Sequence, residues 1–275
     1  MTSRSAEVWK DHRVHIPLIV AHRGASAAEA EHTKAAYELA LQVGADGVET
    51  DVRLTSDRQL VCIHDRSVDR TSSGTGIVSS LTAEQLAAFD WAAGAGLADG
   101  VRGRRRAELL TLEILLDTIA DDARATPLLT LIETKHPSRF GGLVERELAA
   151  LLRARGLADG PAHGIDPVVM SFSPTAVTRM RRLAPRLPLV YLIEKGKPSA
   201  SIDGSLPSGV TRVGLDVGFL QSTHKVKAHR RRGHTIFVWT VDERPDVERC
   251  LEQEVDVIIT NRPAEVRAMV AELAH

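Results

Sequence analysis

The chain has 275 residues, of which 43% are hydrophobic, 26% are charged and only 4% are aromatic. Its formal net charge of −1 and its sequence pI of about 6.8 exclude a strong overall field that would draw it to nucleic acid or to an anionic membrane. No apolar run approaches the roughly 18 residues that a membrane-spanning helix needs, so we expect no stable membrane insertion and a cytoplasmic protein.

Eight short apolar runs, often rich in β-branched residues, follow one another along the chain. Continuous runs of this kind are typical of parallel strands that are buried on both faces. The runs cover residues 18–21, 47–51, 128–133, 168–171, 189–193, 213–216, 235–240 and 255–260. They predict eight buried strands.

Amphipathic stretches separate most of these runs. In the first of them Ala36, Leu39, Ala40 and Val43 recur at spacings of three and four, which is the period of one helix face. The predicted helices cover residues 33–43, 141–155, 174–183, 222–232, 244–254 and 263–273. Strand–helix alternation to a count of eight favours an α/β fold, a (β/α)8 TIM barrel, over an open doubly wound sheet.

One long segment interrupts the alternation. Residues 52–63 read as two extended runs around a turn-like segment at 56–59, and residues from about 66 to 106 are rich in Gly and Ser, with a helical piece near 81–89. Long segments in compact folds are usually functional. We therefore expect a single domain over residues 1–275, with a small insertion at about 66–106 near the carboxyl-terminal mouth of the barrel.

Ionisable residues recur at the ends of the predicted strands. His22 and Arg23 follow the first strand, Glu49 and Asp51 end the second, and Glu133 ends the third, with Lys135 two residues on. Catalytic residues of α/β barrels lie at the carboxyl ends of the strands, around one mouth. These residues are therefore candidates for an active site.

A hairpin at residues 52–63 would bring a second histidine to this group. If a four-residue loop at 56–59 closes the hairpin, opposed residues have numbers that add up to 115, and Asp51 lies opposite His64. Opposed residues of an antiparallel pair point to the same face. Glu49, Asp51 and His64 would then share one surface, provided that the loop length is correct.

Three carboxylates at one mouth, those of Glu49, Asp51 and Glu133, repel one another unless their pKa values rise or a cation neutralises them. An all-oxygen set of ligands suits Mg²⁺ or Ca²⁺ better than zinc. The cofactor that we expect is therefore a divalent metal, Mg²⁺ or Ca²⁺.

With these residues identified, the sequence resembles the glycerophosphodiester phosphodiesterase family. The resemblance extends over almost the whole chain, in family order. The segments that carry it are AHRGAS (21–26), ETD (49–51), IHD (63–65), DRTSSGTG (69–76), IETK (132–135), SFSP (171–174), VWTVD (238–242) and IITNRP (258–263).

The resemblance implies an α/β-barrel enzyme that hydrolyses glycerophosphodiesters, as small-molecule substrates, to glycerol 3-phosphate and an alcohol. The roles that it implies fall into three groups. The metal would be held by Glu49, Asp51 and Glu133, proton transfer would be carried out by His22 and His64, and the substrate would be contacted by Arg23 and Lys135 at its phosphate and by Trp239 at its glycerol.

Four residues depart from the family pattern. Ala30-Glu31-His32-Thr33 stands where the family usually has Pro-Glu-Asn-Thr, Asp242 stands where Asn is common, and Asn261 where Asp is common. We interpret His32 as a surface group or as one that supports the site. The departures leave the catalytic core intact and bear on substrate preference.

Two other functions remain open. A phospholipase D-like member with the same fold would act on lysolipids or sphingolipids and release a cyclic phosphate, and a catalytically silent barrel would bind phosphodiesters as a sensor. The complete set of two histidines and three carboxylates favours an enzyme. The sequence leaves open the released alcohol, the choice between Mg²⁺ and Ca²⁺, the order in which the two histidines act, and the oligomeric state.

Overall fold

A computed structural model describes residues 15–94, 105–122, 124–197 and 203–274. Eight parallel strands form a closed barrel in these residues, and a ninth, β3, is antiparallel. The strands are β1 Leu18–His22, β2 Gly47–Leu54, β3 Leu60–Cys62, β4 Leu128–Thr134, β5 Ile165–Ser171, β6 Leu189–Ile193, β7 Arg212–Asp216, β8 Thr235–Trp239 and β9 Val257–Thr260. The predicted (β/α)8 barrel is confirmed.

The barrel closes between its first and last strands. β1 pairs in parallel with β2 on one side, with His22 beside Glu49, and with β9 on the other, with Ala21 beside Thr260. The remaining neighbours follow in chain order, and β3 pairs with β2 and makes an isolated antiparallel bridge from Val61 to Thr111. Residues far apart in sequence therefore meet at the mouth beside β1.

Eight α-helices are present in the described residues. They are α1 Lys34–Gln42, α2 Ala83–Ala87, α3 Leu112–Ala120, α4 Leu143–Ala154, α5 Pro174–Leu183, α6 Thr223–Arg231, α7 Arg244–Glu252 and α8 Pro263–Leu273. None of the helices within this described portion is long and apolar enough to cross a membrane.

Helix α3 is absent from the helices predicted above. Its apolar residues Leu112, Leu115, Leu116 and Ile119 are fully buried, and the Thr111 side chain accepts a hydrogen bond from the backbone N–H of Ile114. The spacing of three and four behind a threonine N-cap is a readable helix signal. It was missed because it follows the irregular segment directly.

Two apolar layers hold the barrel together. The larger one lies between the strands and the helices, and a smaller one fills the barrel interior with Val20, Leu131, Val168, Met170, Val190, Leu192, Phe237, Val257 and Ile259. Since side chains alternate along a strand, the residues two positions further on face the same interior at its open end. That alternation positions the site.

The hairpin register predicted above is wrong by one residue. β2 and β3 pair Val52 with Cys62 and Leu54 with Leu60, so opposed numbers add up to 114, and the N–H of Ile63 donates to the carbonyl of Asp51. The loop has five residues, 55–59, because the Thr55 side chain accepts from the N–H of Gln59 and closes a longer turn. Asp51 therefore lies opposite Ile63 rather than His64.

The segment that follows is built around a small apolar cluster of its own. Its helix α2, within the predicted range 81–89, begins at a capping box in which the Thr82 and Gln85 side chains each bond the other's backbone N–H. Buried Val68, Leu86 and Trp91 pack with Val61 and Ile63 of the barrel side. Residues 95–104 of the predicted insertion lie outside the described residues.

Candidate active site

The carboxyl ends of the strands enclose a pocket of about 340 Å³. Seven of the eight predicted site residues line it, namely His22, Arg23, Glu49, His64, Glu133, Lys135 and Trp239, together with the apolar residues of the barrel interior. The eighth, Asp51, is buried beside Glu133, its register partner on β4. The sequence thus identifies residues that do converge.

Glu49, Asp51 and Glu133 form a buried acidic cluster. One carboxylate oxygen from each lies within 4.8 Å of the other two. Burial, together with the charge of Asp51, raises the pKa of Glu133 to about 8 and holds that of Glu49 well above its ordinary range. Such a set of oxygen ligands fits a hard divalent cation, which would relieve the repulsion that raises these pKa values.

Two cations from the barrel stabilise this cluster. Arg23 Nε lies 3.1 Å from Asp51 Oδ2, and Lys135 Nζ lies 2.8 Å from Glu133 Oε1 and 3.3 Å from Asp51 Oδ1. Although burial alone would raise the pKa of Asp51, these cations hold it well below the ordinary value. The two residues predicted to bind phosphate therefore already neutralise part of the negative charge of the acidic cluster.

His22 is held by residues that follow the last two strands of the barrel. Its Nδ1 lies 2.8 Å from Asn261 Oδ1, while Asn261 Nδ2 donates to Asp242 Oδ2 at 2.6 Å. His22 Nε2 lies 3.9 Å from Glu49 Oε2, on the pocket side. Burial and the charge of Arg23 lower the pKa of His22 to about 3, so the ring is neutral near pH 7.

His64 is held by a different set of partners. Its Nδ1 lies 2.6 Å from Asp65 Oδ1, and Arg70 Nε donates to Asp65 Oδ2 at 2.5 Å. Arg70 also donates through both Nη atoms to Glu31, at 2.7 and 2.8 Å. Burial lowers the pKa of His64. Each histidine thus has a carboxylate or amide fixing its Nδ1, while Nε2 of His22 lies on the pocket side, 3.9 Å from Glu49.

Arg53 explains why His64 reaches the pocket although the predicted register is wrong. Its Nε and Nη2 donate to the carbonyl of His64 at 3.0 and 2.8 Å. Arg53 follows Glu49 and Asp51 on the inward-facing row of β2. The chain is therefore anchored to that row just after β3 ends.

Two residues that the sequence analysis did not name, and one whose place it left open, surround these groups. Arg70 and Asp65 stand in the quoted DRTSSGTG and IHD segments, which could have indicated a role near His64. His32 is only 5% exposed, with its Nε2 2.9 Å from Asp51 Oδ2 and its Nδ1 2.9 Å from the Tyr37 hydroxyl. It therefore supports the acidic cluster and is not a surface residue.

The far wall of the pocket is mostly apolar. Trp239 packs edge-on against Phe172, with ring centroids 5.4 Å apart, and Met170, Leu192 and Ile259 extend the wall, with Glu194 as its one acidic residue. A charged half therefore faces a mostly apolar half across the pocket. A ligand with one anionic and one carbon-rich portion matches this division.

Comparison with known proteins places the chain in a family. Residues 22–265 match the model of the glycerophosphoryl diester phosphodiesterase family. A Mycobacterium tuberculosis protein named "Probable glycerophosphodiester phosphodiesterase 1" is 45% identical over 258 residues, 92% of each chain. A Bacillus subtilis glycerophosphodiester phosphodiesterase is 31% identical over 254 residues, covering 90% of this chain and 84% of that protein.

A solved structure shares the fold. The Oleispira antarctica phosphodiesterase, in complex with the product sn-glycerol-3-phosphate, superposes with a TM-score of 0.77 at 19% identity, over 93% of this chain and 97% of the other. At that identity the likeness bears on the fold alone. The extent of the sequence matches decides the assignment: this chain belongs to the glycerophosphoryl diester phosphodiesterase family.

Proposed function

We propose that this protein hydrolyses glycerophosphodiesters to glycerol 3-phosphate and an alcohol, with a divalent cation and with His22 and His64 as the proton-transfer pair. The observation that carries the proposal is the pocket in which both histidines and three carboxylates meet. The names of the Mycobacterium and Bacillus relatives and the product held by the Oleispira phosphodiesterase support it.

Glu49, Asp51 and Glu133 would hold the cation, Mg²⁺ or Ca²⁺. When bound, it supplies Lewis acidity and positive charge for the phosphoryl oxygens. Arg23 and Lys135 add fixed positive charge beside it, and the planar guanidinium of Arg23 matches two phosphate oxygens. The wall formed by Phe172 and Trp239 would take the carbon skeleton of the glycerol.

His22 would act as the first base. Its Nε2 takes the proton of the substrate hydroxyl next to the phosphate, the hydroxyl oxygen attacks phosphorus, and the bond from phosphorus to the alcohol breaks. His64, in its protonated form, gives its proton to the departing alcohol oxygen. Water then opens the cyclic phosphate with the two roles exchanged, which yields glycerol 3-phosphate.

The test is release of glycerol 3-phosphate from a panel of glycerophosphodiesters, with added Mg²⁺ or Ca²⁺ and after chelation. We expect release that needs the cation, and a loss of about 10²–10⁴-fold in turnover for His22→Ala and for His64→Ala. His163→Asn is the matched control, because His163 is exposed in the loop before β5, at the other end of the barrel.

Two results would contradict the proposal. If both histidine variants kept near wild-type turnover on the best substrate, the proton-transfer roles would be wrong. If no glycerophosphodiester were cleaved while a lysolipid gave a cyclic phosphate, the enzyme would instead be of the phospholipase D-like kind.

A further inference from the structure

A second, narrower cleft lies beside the active-site pocket. Four basic side chains line it, those of Arg53, Arg66, Lys135 and Arg139, and none of its ten lining residues is acidic. We call these four residues the basic cleft. It lies between the short 3-10 helix Val78–Ser80 and the loop that joins β4 to α4.

The arginines of the basic cleft lack carboxylate partners in the described residues. Arg66 has no side-chain hydrogen bond or ion pair there, and Arg139 donates to the carbonyl of Ser79 at 3.5 Å and lies over the Phe140 ring, 5.9 Å from its centroid. Other arginines of the chain pair with acids, as Arg244 does with Glu272 and Arg267 with Asp46. Because Lys135 is already paired with Glu133 and Asp51, the uncompensated positive charge of the cleft is, among the described residues, that of its arginines.

The basic cleft is continuous with the reaction site through two residues. Lys135 lines both the cleft and the pocket. Arg53 lines the cleft and holds the carbonyl of His64. His64 is the group that would protonate the departing alcohol, so this alcohol would leave on the side where the cleft opens.

The size and exposure of the cleft favour an anionic group at its entrance. The cleft has a volume of about 20 Å³, which is enough for one oxygen-sized atom. Arg66 and Arg139 are exposed at its rim, while Arg53 is partly buried. An oxyanion could insert one oxygen towards Arg53 and leave the others to the rim arginines.

We propose that the basic cleft binds a second phosphate carried by the departing alcohol, so that the enzyme selects glycerophosphodiesters whose alcohol is itself phosphorylated. This inference rests on the proposed function, since it names the substrate class of the same site. Two guanidinium groups at the rim recognise the charge and the paired oxygens of a phosphate, which a neutral or cationic alcohol does not offer.

The experiment compares two substrates that share the reacting bond. Glycerophosphoglycerol releases glycerol, whereas bis(glycerophospho)glycerol releases an alcohol that carries a second phosphate. We expect the second substrate to have a KM about tenfold lower at similar kcat. Arg66→Gln/Arg139→Gln should raise that KM about tenfold and change KM for glycerophosphoglycerol less than twofold. Arg186→Gln, beyond α5 at the other end of the barrel, is the control.

Binding gives a readout that does not depend on turnover. His22→Ala/His64→Ala protein titrated calorimetrically with each compound should bind bis(glycerophospho)glycerol about tenfold more tightly, and the two arginine substitutions should remove the difference. Equal affinities for the two compounds, or an equal loss for both in the arginine variant, would overturn the inference. Turnover of neither substrate would instead contradict the proposed function.

Discussion

The Asn261 side chain determines which nitrogen of His22 carries a proton. Asp242 is a carboxylate and can only accept, so the Asn261 atom 2.6 Å away from it must be the NH₂ group. The amide oxygen then faces His22 Nδ1 and also accepts from the Ser26 hydroxyl, each at 2.8 Å. The neutral ring must therefore carry its proton on Nδ1, which leaves Nε2 unprotonated towards the pocket.

This arrangement predicts the effect of exchanging the two residues. Asp242→Asn frees the amide to turn over, and the wrong tautomer of His22 then becomes available, so we expect kcat to fall on the order of 10²-fold with little change in KM. Asn261→Asp alone places two carboxylates in contact and should also lower kcat. The double variant Asp242→Asn/Asn261→Asp restores an acceptor for His22 and should recover kcat to within a few-fold.

Kinetics of the three variants and ¹⁵N chemical shifts of the His22 ring provide the measurements. The shifts report the tautomer directly, which a change of stability alone would not move. A double variant no more active than the singles, with an unchanged tautomer in all three, would show that the pair has only a structural role.

The sequence could indicate which residues converge but not what each one touches. His22, Glu49 and Glu133 were predicted because they follow buried strands, and strand ends of a parallel barrel share a mouth. The contact of His22 with Asn261 spans 239 positions, and no local pattern reports it. The place of His32 was left open between the surface and a supporting position for the same reason: it depends on how α1 packs, not on spacing.

In the β2–β3 hairpin the predicted strands are correct, but an error of one residue in the loop length changes which residues lie opposite each other. The strands and the turn were predicted in the right places, but the loop is one residue longer than assumed, which moves Asp51 opposite Ile63. Loop length depends on the Thr55 side chain bonding to the Gln59 N–H, a choice that hydrophobic periodicity does not encode. His64 nevertheless lines the pocket.

Gly47 is the first residue of β2, the strand that carries Glu49 and Asp51, and a substitution there tests how closely this strand packs. A Cβ there would lie 2.4 Å from the carbonyl oxygen of Leu129 and 2.9 Å from its Cβ. We expect Gly47→Ala to lower the free energy of unfolding by about 1–3 kcal/mol, measured by urea denaturation.

Gly44→Ala provides the comparison for that variant. Its Cβ would meet no atom within 4 Å, but its φ of +75° disfavours any side chain. A loss of about 1 kcal/mol is expected from the backbone alone. If Gly47→Ala unfolded at the wild-type urea midpoint, the close approach of β2 and β4 would not be a packing constraint.

At the scale of the whole molecule, the buried acids link stability to pH and to the cation. The pKa of Glu133 is raised from 4.5 to about 8, so without a cation the folded state keeps a proton that the unfolded chain has released. Stability therefore falls as pH rises between these values. His22, with a pKa lowered to about 3, has the opposite effect on stability, and so do His64, His229 and His234, whose pKa values are also lowered. Their effect ends at about pH 7.5, because the unfolded histidines have released their protons above it. Comparison with Glu133→Gln separates the acid from the histidines.

We therefore expect chelated protein to lose stability from pH 6.5 to pH 8, and Mg²⁺ or Ca²⁺ to stabilise it more at pH 8 than at pH 6.5. Calorimetric melting at the two pH values, with and without cation, measures this. Glu133→Gln should flatten the pH dependence of the chelated protein. The explanation fails if cations leave the melting temperature at pH 8 unchanged.

The barrel as a whole was predictable because its strands are short, apolar and separated by helical periodicity. That pattern identifies strands at all eight positions and allows errors at their ends, as where β5 begins at Ile165 rather than at residue 168. Pro167 interrupts the apolar run, and proline has no backbone N–H to donate to a neighbouring strand. The strand tolerates it because β5 pairs with β6 only from Val169 onward.

Barrel closure also determines when, during synthesis, the site around His22 can be completed. His22 is among the earliest residues of the barrel to be synthesised, and Asn261, which fixes its ring, follows β9, the strand that completes the circle. With His22 as the base proposed above, a nascent chain that carries both histidines and all three acids would still lack a correctly held base. We therefore expect turnover only after the last strand has left the ribosome and paired with the first.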